Sequence, residues 1–294
     1  MKKKELAFKI SIYTILVLLA VIFLFPIFMM ISMSFFSEAD VSVVPRKIFP
    51  SVFTPQNYSE AFQIAGRYMD DFGNEGAPYM LIYLKNSLII TVLFVGGIVV
   101  GSSLCAYAFS KIRFKGREPL FMVVLATMMI PSSITMIPLF TIYKFLGLLD
   151  NIAVLWLPIW FGGGAVNIFL LRQFMRGIPD EMLESAMLDG AGHFRRYLMI
   201  VIPNCVPILG YVALSGSMAV WNDFFTPLLY INSQKNWTLA LGIANIIQTN
   251  DSGMQSKTHL LMAACTMMTL LPLTLFIAGQ KLFIESITFT AVKG

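Results

Sequence analysis

The chain contains six long runs without a single Asp, Glu, Lys or Arg residue, and each is long enough to cross a bilayer. The runs are residues 10–37, 86–110, 119–143, 151–171, 197–222 and 258–280. A helix rises about 1.5 Å per residue, so about 20 apolar residues span the hydrocarbon core. Strands of alternating polarity, typical of a membrane barrel, are missing from the sequence. We therefore predict an all-α integral membrane protein with six transmembrane helices.

The composition agrees with this fold class. Only 13% of the 294 residues are charged and the mean hydropathy is +0.75, whereas soluble domains carry roughly 25% charged residues. Three lysines precede the first run, as in a signal peptide, but that run exceeds the apolar core of about 7 to 15 residues of a cleaved signal. We expect it to remain as an anchor.

The Lys and Arg residues predict the orientation. Of these 21 residues, 14 lie on the side of the N-terminus, and cytoplasmic loops are the ones enriched in positive charge. Both termini are therefore expected in the cytoplasm, with residues 1–9 and 281–294 flanking a transmembrane domain of residues 10–280. Outer loops are expected at residues 38–84 and 223–257. The net charge of +5 is accounted for by these loops, so we expect no nucleic-acid partner.

No metal or thiol chemistry is indicated. Cys105, Cys205 and Cys265 lie in different runs and far apart, so they are expected to pack as small apolar residues. His193 and His259 are isolated from the partners that a zinc site needs.

Residues 178–203 form a charged segment between the fourth and fifth runs, which we call the coupling hairpin. Pro179 suits a helix start, with Asp180 at the positive end of the helix dipole. Gly190 is expected to end this helix, and a second short helix runs from His193 towards Pro203. The first helix has a narrow face of apolar and small residues, namely Leu183, Ala186, Met187 and Gly190. The pair is either a surface cover at the membrane boundary or a docking site for a soluble protein.

This segment resembles the EAA loop of ABC importer permeases, whose pattern is Glu-Ala-Ala, three residues, Gly, and later Ile-x-Leu-Pro. The matching residues are Glu184-Ser185-Ala186, Gly190 and Val201-Ile202-Pro203. Ser185 replaces the middle Ala and Ile202 replaces the Leu. Further pieces are similar to the second permease subunit of maltose-type carbohydrate importers: NSL at 86–88, AYAFS at 106–110, FLLRQF at 169–174, WNDF at 221–224 and VKG at 292–294.

The resemblance implies a type I ABC importer permease fold and a subunit that translocates a sugar or oligosaccharide across the bacterial cytoplasmic membrane. The implied partners are a second homologous permease, two cytoplasmic ATPase subunits and an extracytoplasmic solute-binding protein. The chain lacks a G-x-x-x-x-G-K-[ST] loop, so ATP and Mg are expected on the ATPases, with no cofactor and no catalysis on this chain. The ATPase-coupling residues are expected to be Glu184, Ser185, Ala186, Asp189, Gly190, Arg195, Arg196 and Pro203. The tail at 287–294 is expected near the ATPase.

Two further sites are expected on the outer side and within the spans. By position in the family, the binding protein contacts the segment before the last helix, at Asn250, Asp251, Ser252 and Gly253. Sugars bind aromatic faces and neutral hydrogen-bonding groups. Candidates for the substrate path are Tyr107, Trp156, Trp160, Asn167, Tyr211, Ser215 and Trp221, although Trp and Tyr near span ends also form interfacial belts.

Other functions stay open at this point. The cargo could instead be a phosphodiester, a polyamine or a peptide, although a cationic cargo favours acidic pore residues that the runs lack. An ion-coupled carrier usually has ionisable residues inside the membrane, and an intramembrane enzyme needs convergent catalytic groups. Pro158 and the glycines at 162–164 predict either a bend in the fourth span or close helix packing.

Overall fold

The computed structural model describes residues 2–43, 47–69, 75–250 and 257–291. Within these ranges, side chains are described for residues 8–246 and 257–280. The α-helices are α1 (Lys2–Met33), α2 (Glu38–Val41), α3 (Asn57–Ala61), α4 (Tyr79–Lys111), α5 (Arg117–Thr127), α6 (Ser132–Phe145), α7 (Ala165–Arg176), α8 (Asp180–Leu188), α9 (His193–Arg196), α10 (Ile202–Asn204), α11 (Val206–Trp221), α12 (Phe225–Tyr230), α13 (Leu239–Asn250) and α14 (Thr258–Ala291).

Short 3₁₀ helices and one π-helix complete the helical part. The 3₁₀ helices are Ile152–Leu155, Pro158–Phe161 and Gln234–Asn236, and the π-helix is Tyr197–Val201. Two strands, β1 (Arg67–Met69) and β2 (Glu75–Pro78), pair antiparallel.

Four helical segments are long and apolar enough to cross a membrane by themselves. They are Phe8–Met33, Tyr79–Lys111, Ile152–Arg176 and Thr258–Gln280. Two more candidates are bent pairs: α5 with α6 at 99°, and His193–Asn204 with α11 at 81°. The described residues thus supply the six predicted spans only if each bent pair counts as one. Pro131 stands between α5 and α6, and Pro203 and Pro207 flank the second bend, where missing N–H donors interrupt the helical ladder.

Three of the predicted limits, at residues 10, 84 and 280, fall inside helices rather than at their ends. Helix α1 begins at Lys2, before residue 10, and α14 continues beyond residue 280 to Ala291. Helix α4 begins at Tyr79, within the predicted outer loop 38–84.

The chain divides into two compact units, of which the first comprises Met1–Leu81 and Gly242–Leu270. Its loop after α1 is organised around Asp40, whose carboxylate accepts hydrogen bonds from Lys47 Nζ (2.8 Å), Ser51 N (3.0 Å) and Ser51 Oγ (2.7 Å). The Lys47 ammonium and the Ser51 donors hold the pKa of Asp40 well below its usual range. Most of the polar segment at 70–76 lies outside the described residues.

The second unit comprises Ile82–Leu241 and Leu271–Gly294. Its core joins α4, α7, the coupling hairpin and α11 through buried side chains that include Ala106, Leu171, Met175, Val201, Cys205 and Val212. At the start of α4, Asn86 Nδ2 donates to the carbonyls of Lys235 (2.9 Å) and Trp237 (3.0 Å). The NSL motif therefore ties one end of this unit, and the other end of α4 reaches the coupling hairpin.

The fourth span is irregular, because two 3₁₀ helices and three glycines precede α7. Gly163 has φ of +70°, and a Cβ there would overlap the backbone of Ser102 in α4. Trp160 lies against Gly97 of the same helix, where its ring would obstruct an added Cβ. The helix is interrupted at this segment, and its glycines permit close packing against α4, as one of the two predictions for them states.

Candidate functional site

The first helix of the coupling hairpin has well-defined ends. Helix α8 follows Pro179 and carries Asp180 and Glu181 in its first turn, as the sequence predicts. It ends in a Schellman motif, in which Gly190 N donates to Met187 O (3.0 Å) and Ala191 N donates to Ala186 O (2.9 Å). Gly190 has φ of +79°, a conformation that glycine adopts without steric cost.

The last residue of α4 holds the beginning of the hairpin. Lys111 Nζ donates to Ile178 O and to Asp180 Oδ1, both at 2.6 Å. The ammonium is almost completely buried, with 4% of the Lys111 side chain exposed. Hydrogen bonding from Lys111 lowers the pKa of Asp180, which outweighs the opposing effect of desolvation. The start of α8 is therefore fixed to the end of α4 by a charged and a neutral acceptor.

Two tyrosines hold the second half of the hairpin on the same helix. Tyr107 OH donates to His193 O at 3.1 Å, and the hydroxyl oxygens of Ser103 and Tyr197 lie 2.7 Å apart. The rings of Tyr107 and Tyr197 have centroids 5.3 Å apart. Since Ser103, Tyr107 and Tyr197 are all buried, this contact is an interior one.

The hairpin runs into α11 without an intervening loop. From His193 the chain passes through α9, the π-helix and α10, and bends at Cys205. The second helix of the hairpin was predicted to end at Pro203. It ends one residue later, because Pro203 lies inside α10 and Asn204 is the last residue of that helix. A displacement of the hairpin can consequently reach α11 through the short bend at Cys205, and it can reach α4 through side-chain hydrogen bonds.

The exposed surface of the hairpin is more apolar than the sequence predicts. Leu188 is 87% exposed, Phe194 66% and Met187 54%, and charged Glu184, Asp189 and Arg195 are exposed around them. The predicted small-residue face is not one surface, because Leu183 is buried in the core and Ala186 is half-buried. Leu188 and Phe194 were missed because neither belongs to the helical periodicity that marks that face.

A buried arginine fixes α5 to α7 near the hairpin. Arg172 donates to both carboxylate oxygens of Glu118 at 2.7 Å, and its Nε donates to Phe109 O at 3.0 Å. Its guanidinium carbon lies 3.8 Å from the centroid of the Phe121 ring. One terminal nitrogen makes both bonds to Glu118, while Nε bonds to the Phe109 carbonyl. Arginine, unlike lysine, carries these separate donors on one planar group that can also lie over an aromatic ring.

A cavity of about 410 Å³ lies in the second unit between α6, the 3₁₀ helices and α12. Its lining residues are Phe94, Ser132, Ser133, Thr135, Met136, Leu139, Tyr143, Val154, Leu155, Pro158, Ile159, Phe225, Thr226, Leu229 and Tyr230. Among the described residues, no charged side chain lines it. The rings of Tyr143 and Tyr230 meet edge to face with centroids 5.1 Å apart. Hydroxyls and aromatic faces therefore share one neutral cavity.

The seven predicted substrate-path residues lie outside the lining of this cavity, and their role stays a prediction. Tyr107 and Trp221 are buried at 5% and 3% exposure, and Tyr107 anchors the hairpin instead. Trp160 Nε1 donates to Leu93 O at 3.0 Å. The others are half-buried at separate places, namely Trp156, Asn167, Tyr211 and Ser215.

The polar groups of two of these residues are already used by the backbone. Asn167 Nδ2 donates to Gly163 O at 3.0 Å and Ser215 Oγ donates to Val212 O at 3.2 Å. The sequence signal that could have indicated the lining of this cavity is the hydroxyl cluster after Pro131. Of the predicted binding-protein contacts, Asn250 ends α13 and Asp251, Ser252 and Gly253 lie outside the described residues.

The known proteins that this chain resembles are membrane components of transport systems. Residues 93–288 match the model of a family described as "Binding-protein-dependent transport system inner membrane component". The chain is 28% identical to the arabinooligosaccharides transport system permease protein AraQ of Bacillus subtilis, over 98% of this chain and 96% of that protein. It is 29% identical to the sn-glycerol-3-phosphate transport system permease protein UgpE of Yersinia pestis, over 94% of each.

A solved structure has the same fold. It is a chain of a bacterial ABC transporter involved in the import of the acidic polysaccharide alginate, with a TM-score of 0.79 and 24% identity over 95% of this chain and 97% of that one. Because the family model covers most of the sequence, including the coupling hairpin and the neutral cavity, the chain belongs to the family of binding-protein-dependent transport system inner membrane components.

Proposed function

We propose that this chain is the permease subunit of an ATP-driven importer for an oligosaccharide, and that ATPase subunits dock on the coupling hairpin. The observation that carries the proposal is the exposed apolar surface of Met187, Leu188 and Phe194 on a helix pair whose base is fixed to α4. A soluble surface that covers these side chains would gain burial energy, and the charged border would set its orientation.

The docking residues divide into a contact group and a structural group. Glu184, Ser185, Asp189 and Arg195 border the apolar surface, whereas Gly190 and Ala186 shape the end of α8. Arg196 and Pro203 lie on the path from the hairpin to α11. Closure of the ATPases would move the hairpin as a body, and Lys111 and Tyr107 would transmit that movement to α4.

The remaining partners follow from the family. A second homologous permease completes the translocation path, and an extracytoplasmic binding protein delivers the cargo to the segment around Asn250–Gly253. ATP and Mg bind to the ATPases rather than to this chain. The hairpin, both termini and the tail at 281–294 then lie in the cytoplasm, in agreement with the distribution of Lys and Arg.

The neutral cavity favours an oligosaccharide as the cargo. AraQ is named for arabinooligosaccharides and UgpE for a solute that carries a phosphate. A phosphate needs cations and a polyamine needs carboxylates, and neither lines the described cavity. Hydroxyls of Ser133 and Thr226 next to the Tyr143 and Tyr230 rings suit sugar hydroxyls and sugar ring faces.

The test is uptake by proteoliposomes that contain the whole importer. We expect ATP-driven uptake of an arabinooligosaccharide and none of sn-glycerol-3-phosphate. Leu188→Glu should lower uptake at least about tenfold, because burying an unpaired carboxylate in the docking surface is unfavourable. The matched control is Phe114→Glu on the elbow between α4 and α5, outside the hairpin, which should keep uptake. Normal uptake by Leu188→Glu would refute docking at this surface.

A further inference from the structure

A second cavity, of about 650 Å³, lies at the hairpin end of the second unit and is strongly basic. It lies between the elbow after α4, the end of α7 and the two halves of the coupling hairpin. Its cations are Lys111, Arg113, Arg117, Arg176 and Arg196, and its carboxylates are Asp180 and Glu184. With His193 neutral, the formal charge of the lining is +3. A cavity with this charge attracts anions.

Two of these cations are already engaged. Lys111 donates to Asp180 and to the Ile178 carbonyl, as described above, and Arg117 pairs with Glu118 at 3.1 Å. By contrast, Arg113 and Arg176 are exposed and form no ion pair or hydrogen bond within the part of the chain that the structure describes. Their guanidinium groups are therefore available to an incoming anion.

Arg196 is a third arginine that lines the cavity, besides Arg113 and Arg176. One of its terminal nitrogens lies 3.2 Å from His193 Nδ1, whereas its Nε is buried and meets no acceptor among the described residues. A buried N–H without an acceptor is unfavourable. Arg196 also lines the cavity, so an acceptor oxygen bound there would lie close to its guanidinium group.

We propose that this cavity binds a phosphate group, either from an anionic lipid headgroup or from a soluble phosphate compound. Arg113, Arg176 and Arg196 come from three different elements and line one space, and a tetrahedral phosphate offers oxygens in several directions to such a set. A planar carboxylate has only two oxygens, so it can accept hydrogen bonds from fewer of these arginines. This site shares Met187 and Glu184 with the docking surface and its border, and it goes beyond the proposed transport function.

The test measures binding on the full chain, without the ATPases. The chain is purified in neutral detergent, stripped of lipid, and its thermal unfolding is followed at constant ionic strength. The probes are inorganic phosphate and short-chain phosphatidylglycerol, with short-chain phosphatidylcholine as the zwitterionic control. We expect a saturable rise in Tm with a phosphate probe and no rise with phosphatidylcholine.

Variants show whether phosphate binding in this cavity causes the rise in Tm. Arg113→Gln and Arg176→Gln should each raise the half-saturating concentration about tenfold, as expected for the loss of a charge-assisted hydrogen bond. Lys115→Gln removes one charge from the same elbow without touching the cavity, and it should leave binding unchanged. Equal effects of Arg113→Gln and Lys115→Gln would overturn the proposal in favour of diffuse surface charge.

The experiment distinguishes the two sources of the phosphate group from each other and from failure of the proposal. A rise with inorganic phosphate identifies a soluble ligand, and a rise with phosphatidylglycerol alone identifies a lipid headgroup; both support the site. No rise with either probe, or a rise only when ATPase subunits are added, would overturn it. Uptake assays on the same proteins separate this result from the transport function, since phosphate binding can persist in a chain that transports nothing.

Discussion

At the scale of single residues, the base of the coupling hairpin depends on one buried ammonium. Lys111 is almost fully buried and has two acceptors, the Asp180 carboxylate and the Ile178 carbonyl. Removing the carboxylate leaves the ammonium with one neutral acceptor, which is unfavourable in a desolvated position. The Asp180 carboxylate is therefore the charged partner of Lys111 at the base of the hairpin.

The first prediction concerns the pH dependence of this pair. Because the pKa of Asp180 is lowered in the folded protein, its stabilisation is present above the unfolded pKa of about 3.9 and is lost as the pH falls through the folded value. Asp180→Asn should lower the free energy of unfolding at pH 7 by up to about 1 kcal/mol, the range of solvent-screened ion pairs. Thermal unfolding of both proteins at pH 7 and near pH 3 measures this difference, and a gap that stays constant with pH would contradict the assignment.

The features that depend on one residue were the ones most readily predicted from the sequence. The start of α8 after Pro179 and its end at Gly190 are confirmed, because each depends on the backbone preference of one residue. The exposure of Leu188 and Phe194 could not be predicted, since apolar periodicity indicates burial and does not distinguish the core from a surface that a partner covers. Tyr107 was assigned to the substrate path because an aromatic ring in a span has the same sequence signal in a pore as in a packed anchor.

At the scale of elements, the uncharged runs predict which segments are apolar enough for the membrane but not where the helices bend. Residues 119–143 and 197–222 are both interrupted by sharp bends. The prolines that stand at these bends are visible in the sequence, although proline also occurs within α1 and α14 without ending them. Packing against neighbouring helices decides whether a proline bends a helix or is accommodated within it.

The second element-scale feature is the close approach of the fourth span to α4. Gly163→Ala should destabilise the chain by at least about 2 kcal/mol more than Gly162→Ala, the cost of overpacking. Both glycines have positive φ, so both variants carry backbone strain, but only Gly163 faces a backbone within contact distance. Thermal unfolding of the two variants isolates the contact, and equal losses of stability would show that α4 does not pack there.

At the scale of the whole molecule, the cargo is expected to meet the neutral cavity rather than the seven residues that the sequence indicated. Ser133→Ala removes a cavity hydroxyl and should raise the KM for an oligosaccharide by about three- to tenfold, the value of one net hydrogen bond. Ser215→Ala is the matched control, because its hydroxyl already donates to Val212 O. Uptake kinetics in proteoliposomes measure both, and a larger effect of Ser215→Ala would restore the original assignment.

The central claim is that the coupling hairpin is the cytoplasmic docking surface for the ATPases. A photo-crosslinking amino acid at Leu188 of the intact importer tests it directly, with the same group at Phe145, which is 89% exposed at the end of α6, as the control. The account predicts a crosslink from position 188 to an ATP-hydrolysing subunit and none from position 145. A crosslink from 145 alone, or labelling of position 188 by a membrane-impermeant reagent from the outer side, would contradict it.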